Sequence, residues 1–256
     1  MRIFKALSIA GLDPSGGAGV IADIRTFTTL RVYGMGVITA ITLQNTKSVD
    51  NISSVQADVV SSQIKILFSD TVPDAIKTGM LYEAEVIEAV SEILIEFGGK
   101  NIVVDPVMVS STGVKLLKED AVDVLKGRLL PLALVVTPNL HEASILSGIA
   151  VEGIGDMKKA AEMIKDMGPT FVIVKGGHLQ GKPVDLIYDG MSFGMFGGER
   201  VEDKKPHGAG CVFSAAITAY LARGLTLRDA AGRAKEFIIE RIKGSGQIGS
   251  GMDVIV

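Results

Sequence analysis

Four places in this 256-residue sequence put reactive or ionisable side chains where backbone amides or other charges could help them. The first is HGAGC, His207 to Cys211, which holds the only cysteine. Gly208-Ala209-Gly210 permits a tight turn that exposes consecutive N–H groups at the start of a helix, where the dipole favours a bound anion such as phosphate. The thiol of Cys211 in the first turn would feel the same field, which lowers a cysteine pKa from about 8.5 toward roughly 3.5 to 7.5. It could then act as base or nucleophile; the competing reading is a cap followed by a small core residue.

The second is a pair of carboxylates. Asp105 ends the apolar run NIVVD just before a proline, and Glu142 lies in TPNLHEAS after another such run. Two carboxylates at neighbouring strand ends suit a magnesium ion that keeps its waters and bridges phosphate oxygens. Asn139 and Glu142 also have capping-box spacing, and both roles can coexist. The third is Lys175 at the end of FVIVK, placed either to reach a phosphate as a point charge or to snorkel from a strand end. The fourth, GLDPSGGAG from Gly11 to Gly19, is a glycine-rich turn that fits neither the G-x-G-x-x-G fingerprint nor a P-loop. Asp23, four residues later, reads from sequence alone as a solvated helix carboxylate. Of the three histidines only His207 adjoins one of these places, and no hydrolase triad is evident.

Charge and composition narrow the rest. A hydrophobic share of 47% with 21% charged residues supports a large buried core, and a net charge of −3 lacks the basic surplus expected for nucleic acid or an anionic membrane. One cysteine forms no internal disulfide and no Cys/His cluster has zinc spacing, which points to a reducing, cytoplasmic setting. No run approaches a membrane span or the apolar core of a signal peptide. The length fits one α/β domain over residues 1–256.

The elements that must carry these groups alternate. Phe4 to Gly11 reads as a strand, Val20 to Tyr33 as a helix and Met35 to Gln44 as a strand. ADVVSSQIKILFSD (helix), DAIKTG (strand), EAEVIEAVSEILIEF (helix), NIVVDP and LALVVTPN (strands), KKAAEMIKDMG (helix) and FVIVKG (strand) follow. Apolar strands separated by helices predict a mostly parallel sheet covered on both faces. PVDLIYDG and MSFGMFGG, joined at Asp189-Gly190, predict an antiparallel edge. Helices over Cys211 to Arg223 and Leu227 to Lys243 precede an irregular tail. Ligands of such sheets bind beyond the strand carboxyl ends, where GLDPSGGAG, Gln44, Met80, Asp105-Pro-Val-Met, TPNLHE and Lys175 all fall. An anion turn, a titratable group, two carboxylates and a lysine form a set for phosphoryl transfer.

AGLDPSGGAGVIADIRTF, VITAITLQNT, IKTGML, VVDPVMVSSTG, VTPNLHEA, VKGGH and HGAGC…SAAI, in this order from about Ala6 to Glu240, closely resemble the hydroxymethylpyrimidine/phosphomethylpyrimidine kinases of thiamin biosynthesis, in the ribokinase-like superfamily. The resemblance implies a three-layer α/β/α fold, a homodimer, and use of ATP and Mg²⁺. The reaction implied is phosphorylation of 4-amino-5-hydroxymethyl-2-methylpyrimidine and then of its monophosphate. By the same resemblance, Asp23 and Gln44 hold the pyrimidine's polar edge, and Gly11, Met80 and Val107 line its pocket. Gly208 to Cys211 match the anion hole, with Cys211 where sugar kinases of the superfamily carry an aspartate base. Asp105, Asn139 and Glu142 match the magnesium and nucleotide side, and Lys175 the lysine near the ATP phosphates.

Two departures stand out. HGAGC replaces the common HGTGC, which removes a hydroxyl but leaves the amides, and the C-terminal IGSGMDVIV lacks a longer Gly/His/Pro-rich ending. No fused thiamin-phosphate synthase domain is expected. The rival readings are a pyridoxal kinase of the same cysteine-bearing branch, a non-catalytic pyrimidine-binding module, and a redox sensor on Cys211. A sugar or nucleoside kinase is disfavoured by the replaced aspartate.

Overall fold

The computed structural model describes residues 2–177, 179–201, 204 and 206–255. Its order is β1 (Lys5–Leu12), α1 (Gly19–Thr29), β2 (Tyr33–Gln44), β3 (Val49–Ser54), α2 (Ala57–Asp70), β4 (Ala75–Thr78), α3 (Ala84–Glu96) and β5 (Ile102–Val104). Then come α4 (Ala121–Val124), continued by a π turn at Leu125–Leu129 and a 3-10 turn at Leu130–Leu132, and β6 (Val135–Val136). The chain finishes with α5 (Leu140–Ser147), α6 (Ile154–Lys165), β7 (Phe171–Val174), β8 (Val184–Tyr188), β9 (Phe193–Gly197), α7 (Ala209–Ala222) and α8 (Leu227–Lys243).

The nine strands form one sheet in the order β3-β2-β1-β4-β5-β6-β7-β8-β9. The six from β2 to β7 are parallel, whereas β3 and the β8–β9 pair run antiparallel at the two edges. Alternation within a strand assigns side chains to layers. Leu7 and Ile9 of β1 join a core with Ile64 of α2, Ile87 of α3 and Met157 of α6. Ala6 on the other face joins Phe27 of α1, Ile217 of α7 and Ala234 of α8. This is the three-layer α/β/α arrangement that the alternation predicts. Each fully buried aliphatic side chain contributes about 1.5–3 kcal/mol to it.

Some boundaries differ from the sequence reading, with local causes. The helix predicted over Val20 to Tyr33 stops at Thr29. Arg31 takes a left-handed backbone with φ of 60°, and the Val32 amide bonds back to the Phe27 carbonyl at 2.9 Å, turning the chain into β2. The strand predicted over LALVVTPN shortens to Val135–Val136, because Pro138 has no N–H for the ladder and Asn139 already caps α5. The final helix pair begins at Ala209, two residues before Cys211. The edge strand β3 has no counterpart in the sequence reading.

The topology dictates where a ligand goes. From β1 the chain first moves out to β2 and β3, then crosses back to place β4 on the other side of β1. The crevice beyond the carboxyl ends of β1 and β4 is therefore the switch point at which such sheets bind ligands.

Candidate active site

A cleft of about 440 Å³ opens at that point. Gly11 and Leu12 from the end of β1, Gly79 and Met80 after β4, Gln44 at the end of β2, Val107 after β5, and Cys211 near the start of α7 all line it. Gly11, Gln44, Met80, Val107 and Cys211 thus meet as the sequence reading expects, joined by Asp13, Lys77 and His207. Gly208 to Gly210 do not line the cleft; they form the turn leading into Cys211.

That turn packs against the first glycine-rich loop. Gly208 has φ of 83°, and a Cβ there would stand 1.9 Å from the Gly17 carbonyl oxygen, so only glycine fits. The loop itself is built on Asp13. Its Oδ1 accepts from the Ser15 amide and hydroxyl at 2.9 and 2.7 Å, and its Oδ2 accepts from the Ala18 amide at 2.9 Å. His207 Nε2 lies 2.9 Å from the same Oδ2, and its backbone amide donates to the Asp253 carbonyl at 2.8 Å. The C-terminal tail closes the ring: Met252 N–H donates to the Thr46 carbonyl in the β2–β3 turn at 2.8 Å, and Gly246 and Val254 exchange two bonds.

Cys211 departs from its expected ionisation. Burial pushes the thiol up to about 11; Lys77 and the Gly19 amide oppose the rise, while Asp105 and Asp23 reinforce it. The helix-start field is therefore outweighed, and the expectation of a depressed thiol pKa is corrected: Cys211 holds S–H at neutral pH.

Asp23 lies outside the cleft lining, in the layer beneath it. Its Oδ2 accepts from Ser8 at 2.6 Å and from Lys77 Nζ at 2.8 Å, and both members of the ion pair are fully buried. The other carboxylate oxygen, Oδ1, is buried without a hydrogen-bond partner among the described residues. Burial opposes the charge on Lys77, but Asp23, Cys211 and Asp105 overcome it and hold the ammonium above the ordinary lysine value. Lys77 escapes a reading of sequence because its partner is 54 residues away. The signal was a lysine inside DAIKTG, a strand buried on both faces, where charge is otherwise excluded.

The remaining residues form a second group along the same sheet edge. Lys175 Nζ lies 2.8 Å from Asp105 Oδ1 and 3.9 Å from Glu142 Oε2. A Cβ on Gly210 would stand 3.2 Å from that ammonium, so Lys175 sits over the anion turn. Asp105 also accepts from Thr137 Oγ1 at 3.2 Å and from Ser214 Oγ at 3.0 Å; Ser214 belongs to the same helix as Cys211 and ties the two groups together. Burial alone would raise the Asp105 carboxyl, but Lys175, Lys77 and these bonds hold it below the usual range. Asn139 and Glu142 form a complete capping box at 2.8 and 2.9 Å. Burial pushes Glu142 up to about 7, against Lys175 and with help from Asp105. His178, the last residue of VKGGH, lies outside the described residues.

This donor set fits magnesium. Asp105 and an ionised Glu142 would together carry two negative charges against the one ammonium of Lys175, and a divalent cation would favour that ionised form against the burial that opposes it. No group of three or more His, Cys, Asp or Glu converges into a metal cage among the described residues. The ion's other positions would therefore belong to water and phosphate, as is usual for magnesium. No helix among the described residues is long and apolar enough to cross a membrane.

Comparison with known proteins bears on the family and the fold. The family model described as phosphomethylpyrimidine kinase matches residues 13–255. A Bacillus subtilis (strain 168) hydroxymethylpyrimidine/phosphomethylpyrimidine kinase is 42% identical over 253 residues, covering 98% of this chain and 93% of that protein. Among solved structures, a Bacillus subtilis pyridoxal kinase in an ADP complex superposes with a TM-score of 0.93 at 39% identity, covering 99% of this chain and 97% of that one. A Clostridium difficile 630 phosphomethylpyrimidine kinase gives a TM-score of 0.83 at 41% identity, covering 93% and 99%.

Proposed function

From the chain's membership of the phosphomethylpyrimidine kinase family, we propose that it transfers the γ-phosphoryl group of ATP to the hydroxymethyl group of 4-amino-5-hydroxymethyl-2-methylpyrimidine, and then to the resulting monophosphate, as a single-domain cytoplasmic enzyme of thiamin biosynthesis. The observation that carries this reading is the shared helix. Cys211 lines the cleft while Ser214, one turn on, holds Asp105 of the charged group. An alcohol in the cleft and a nucleotide on the charged side therefore meet at the start of α7.

The residues divide the work by chemistry. Gly11, Met80 and Val107 form a small, largely apolar slot for the ring, and Gln44 supplies a polar contact at its edge. The exposed amides of Gly208 to Cys211 receive the moving phosphoryl group, which spreads charge over three oxygens as it passes. Lys175 adds a cation beside that turn, and Asn139 keeps Glu142 and its helix start fixed for the nucleotide. Asp105 and Glu142 would hold magnesium, whose contribution when bound is to neutralise phosphate charge. Asp23 acts from beneath, through Lys77, on the floor of the slot.

Cys211 takes the proton of the alcohol. With its pKa at about 11, releasing the thiol proton to water to form the accepting thiolate at pH 7 costs about 5 kcal/mol, and Lys77 makes the largest contribution that lowers this cost. A transition state with little bonding to the incoming oxygen releases the proton late, so the demand on the base falls near the end of the step. Exposed Tyr33, Ile41 and Leu43 along β2 supply apolar surface that supports the homodimer.

A coupled assay of ATP consumption with the pyrimidine alcohol, its monophosphate and pyridoxal tests the proposal. The expected result is turnover of the first two, with kcat/KM for the alcohol above that for pyridoxal. The fold match to a pyridoxal kinase supports a second reading, and a tenfold or greater preference for pyridoxal would replace the first with it.

A further inference from the structure

We infer that His207 fixes the amide of Gln44 with its carbonyl oxygen on the imidazole and its –NH₂ toward the cleft, so that this wall selects ligands that present a hydrogen-bond acceptor. The inference rests on the pyrimidine-kinase reading of the cleft and deepens it by naming the residue that sets recognition polarity.

The argument is one of donors and acceptors around a single atom. His207 Nε2 lies 2.9 Å from Asp13 Oδ2 and 2.8 Å from the position of Gln44 Nε2, a position that the carbonyl oxygen takes when the amide is turned over. Asp13 is an acceptor only: burial would raise its carboxyl, but the bonds from His207 and Ser15 hold it below the ordinary value, so it is ionised. A carboxylate at 2.9 Å requires a proton on Nε2. The ring nitrogen that donates has no lone pair left to accept, so an amide nitrogen facing it would set N–H against N–H. The carbonyl end of the same amide, identical in shape, accepts from the shared proton instead.

The ring cannot turn away to relieve this demand. Its Nδ1 faces the Ser111 hydroxyl at 3.1 Å, which gives or takes a proton and so closes the network for either charge state of the imidazole. Gly17 packs so tightly on the ring that a Cβ there would stand 2.5 Å from His207 Cδ2. The His207 amide is pinned to Asp253 as well. The Gln44 side chain has no other hydrogen-bond partner among the described residues and lines the cleft, so with the amide turned over its –NH₂ is left for the ligand. A ring nitrogen or a carbonyl oxygen satisfies it. A C–H or a second donor at that place leaves a buried donor unpaired, which lowers kcat/KM by about tenfold or more. His207 is in this sense a positioning residue.

The test has two arms. In the substrate-free wild type, ¹⁵N NMR of the three imidazoles, with His207→Leu used for assignment, is expected to show a proton on Nε2 of His207. The second arm compares the pyrimidine alcohol with two analogues, each having one ring nitrogen replaced by C–H. In the wild type one analogue is expected to lose about tenfold or more in kcat/KM, through KM, with kcat within about threefold. In His207→Leu that discrimination is expected to fall below about threefold, because the amide is free to turn. General damage to the fold would lower all three substrates alike and leave the ratio unchanged. A bare Nε2, or a ratio unaffected by His207→Leu, overturns the inference. Failure of the wild type to phosphorylate any of the three sinks the pyrimidine reading instead, and the NMR result then decides the role of His207 alone.

Discussion

Substituting Lys77 by methionine keeps the length of the side chain but removes the cation from a pair that is fully buried on both sides. Asp23 is then left with one bond from Ser8 and with one carboxylate oxygen that already lacks a partner. Removing one member of such a pair costs about 3–5 kcal/mol, because the surviving charge stays out of water. At about 2–4 °C per kcal/mol for a chain of this size, the melting temperature should fall by about 6–20 °C. The double variant Asp23→Leu/Lys77→Met, which removes both charges, should regain most of the loss. Calorimetry on the ligand-free protein, supported by urea denaturation, measures both. A Lys77→Met variant within about 1 kcal/mol of wild type would refute the reasoning, since the buried-pair cost is several times that.

Cys211→Ala should lower kcat by about 10²-fold or more while leaving the KM for the pyrimidine nearly unchanged, as steady-state kinetics would read. Because the thiol pKa stands at about 11, alkylation of this sole cysteine by iodoacetamide should accelerate about tenfold per pH unit between about pH 7 and 10; a plateau below about pH 8 would mean a depressed pKa. Gly208→Ala forces a Cβ to within 1.9 Å of the Gly17 carbonyl at a φ of 83°, and should cost at least about 1–3 kcal/mol in unfolding experiments as well as slowing phosphoryl transfer. Lys175→Met should raise the KM for ATP about tenfold or more, because a charge-assisted contact to phosphate is lost and Asp105 loses its nearest cation.

What the sequence made legible follows the range of the interactions involved. Local signals carried well: the Asn139–Glu142 capping box, the hairpin at Asp189-Gly190 and the helix start after Gly208 each depend on residues a few positions apart. Long strands buried on both faces were visible as apolar runs. The edge strand β3 was not, because Val49–Ser54 is short, largely polar and half-exposed, and it pairs on one side only. At the site, residue types were readable but the charge balance was not. Cys211 sits at a helix start as its flanking glycines imply, yet its ionisation is set first by burial and then by Lys77, Asp105 and Asp23, which lie more than 100 residues away in the chain. Asp13 and Ser214 were hidden for the same reason. An Asp in a glycine-rich turn and a Ser in an apolar helix look ordinary until the fold brings His207 and Asp105 to them.

The C-terminal tail binds the β2–β3 turn through Thr46, the start of α7 through His207, and α1 through a bond from Arg25 to the Ile255 carbonyl. These three segments are far apart in the chain, and each would otherwise fray on its own. Tied to one strap, they should exchange their amide hydrogens as a single unit, with the opening free energy measured at Met252 equal to that at His207. The proposed recognition at Gln44 and phosphate capture at Gly208 would thereby be linked to the same local unfolding event.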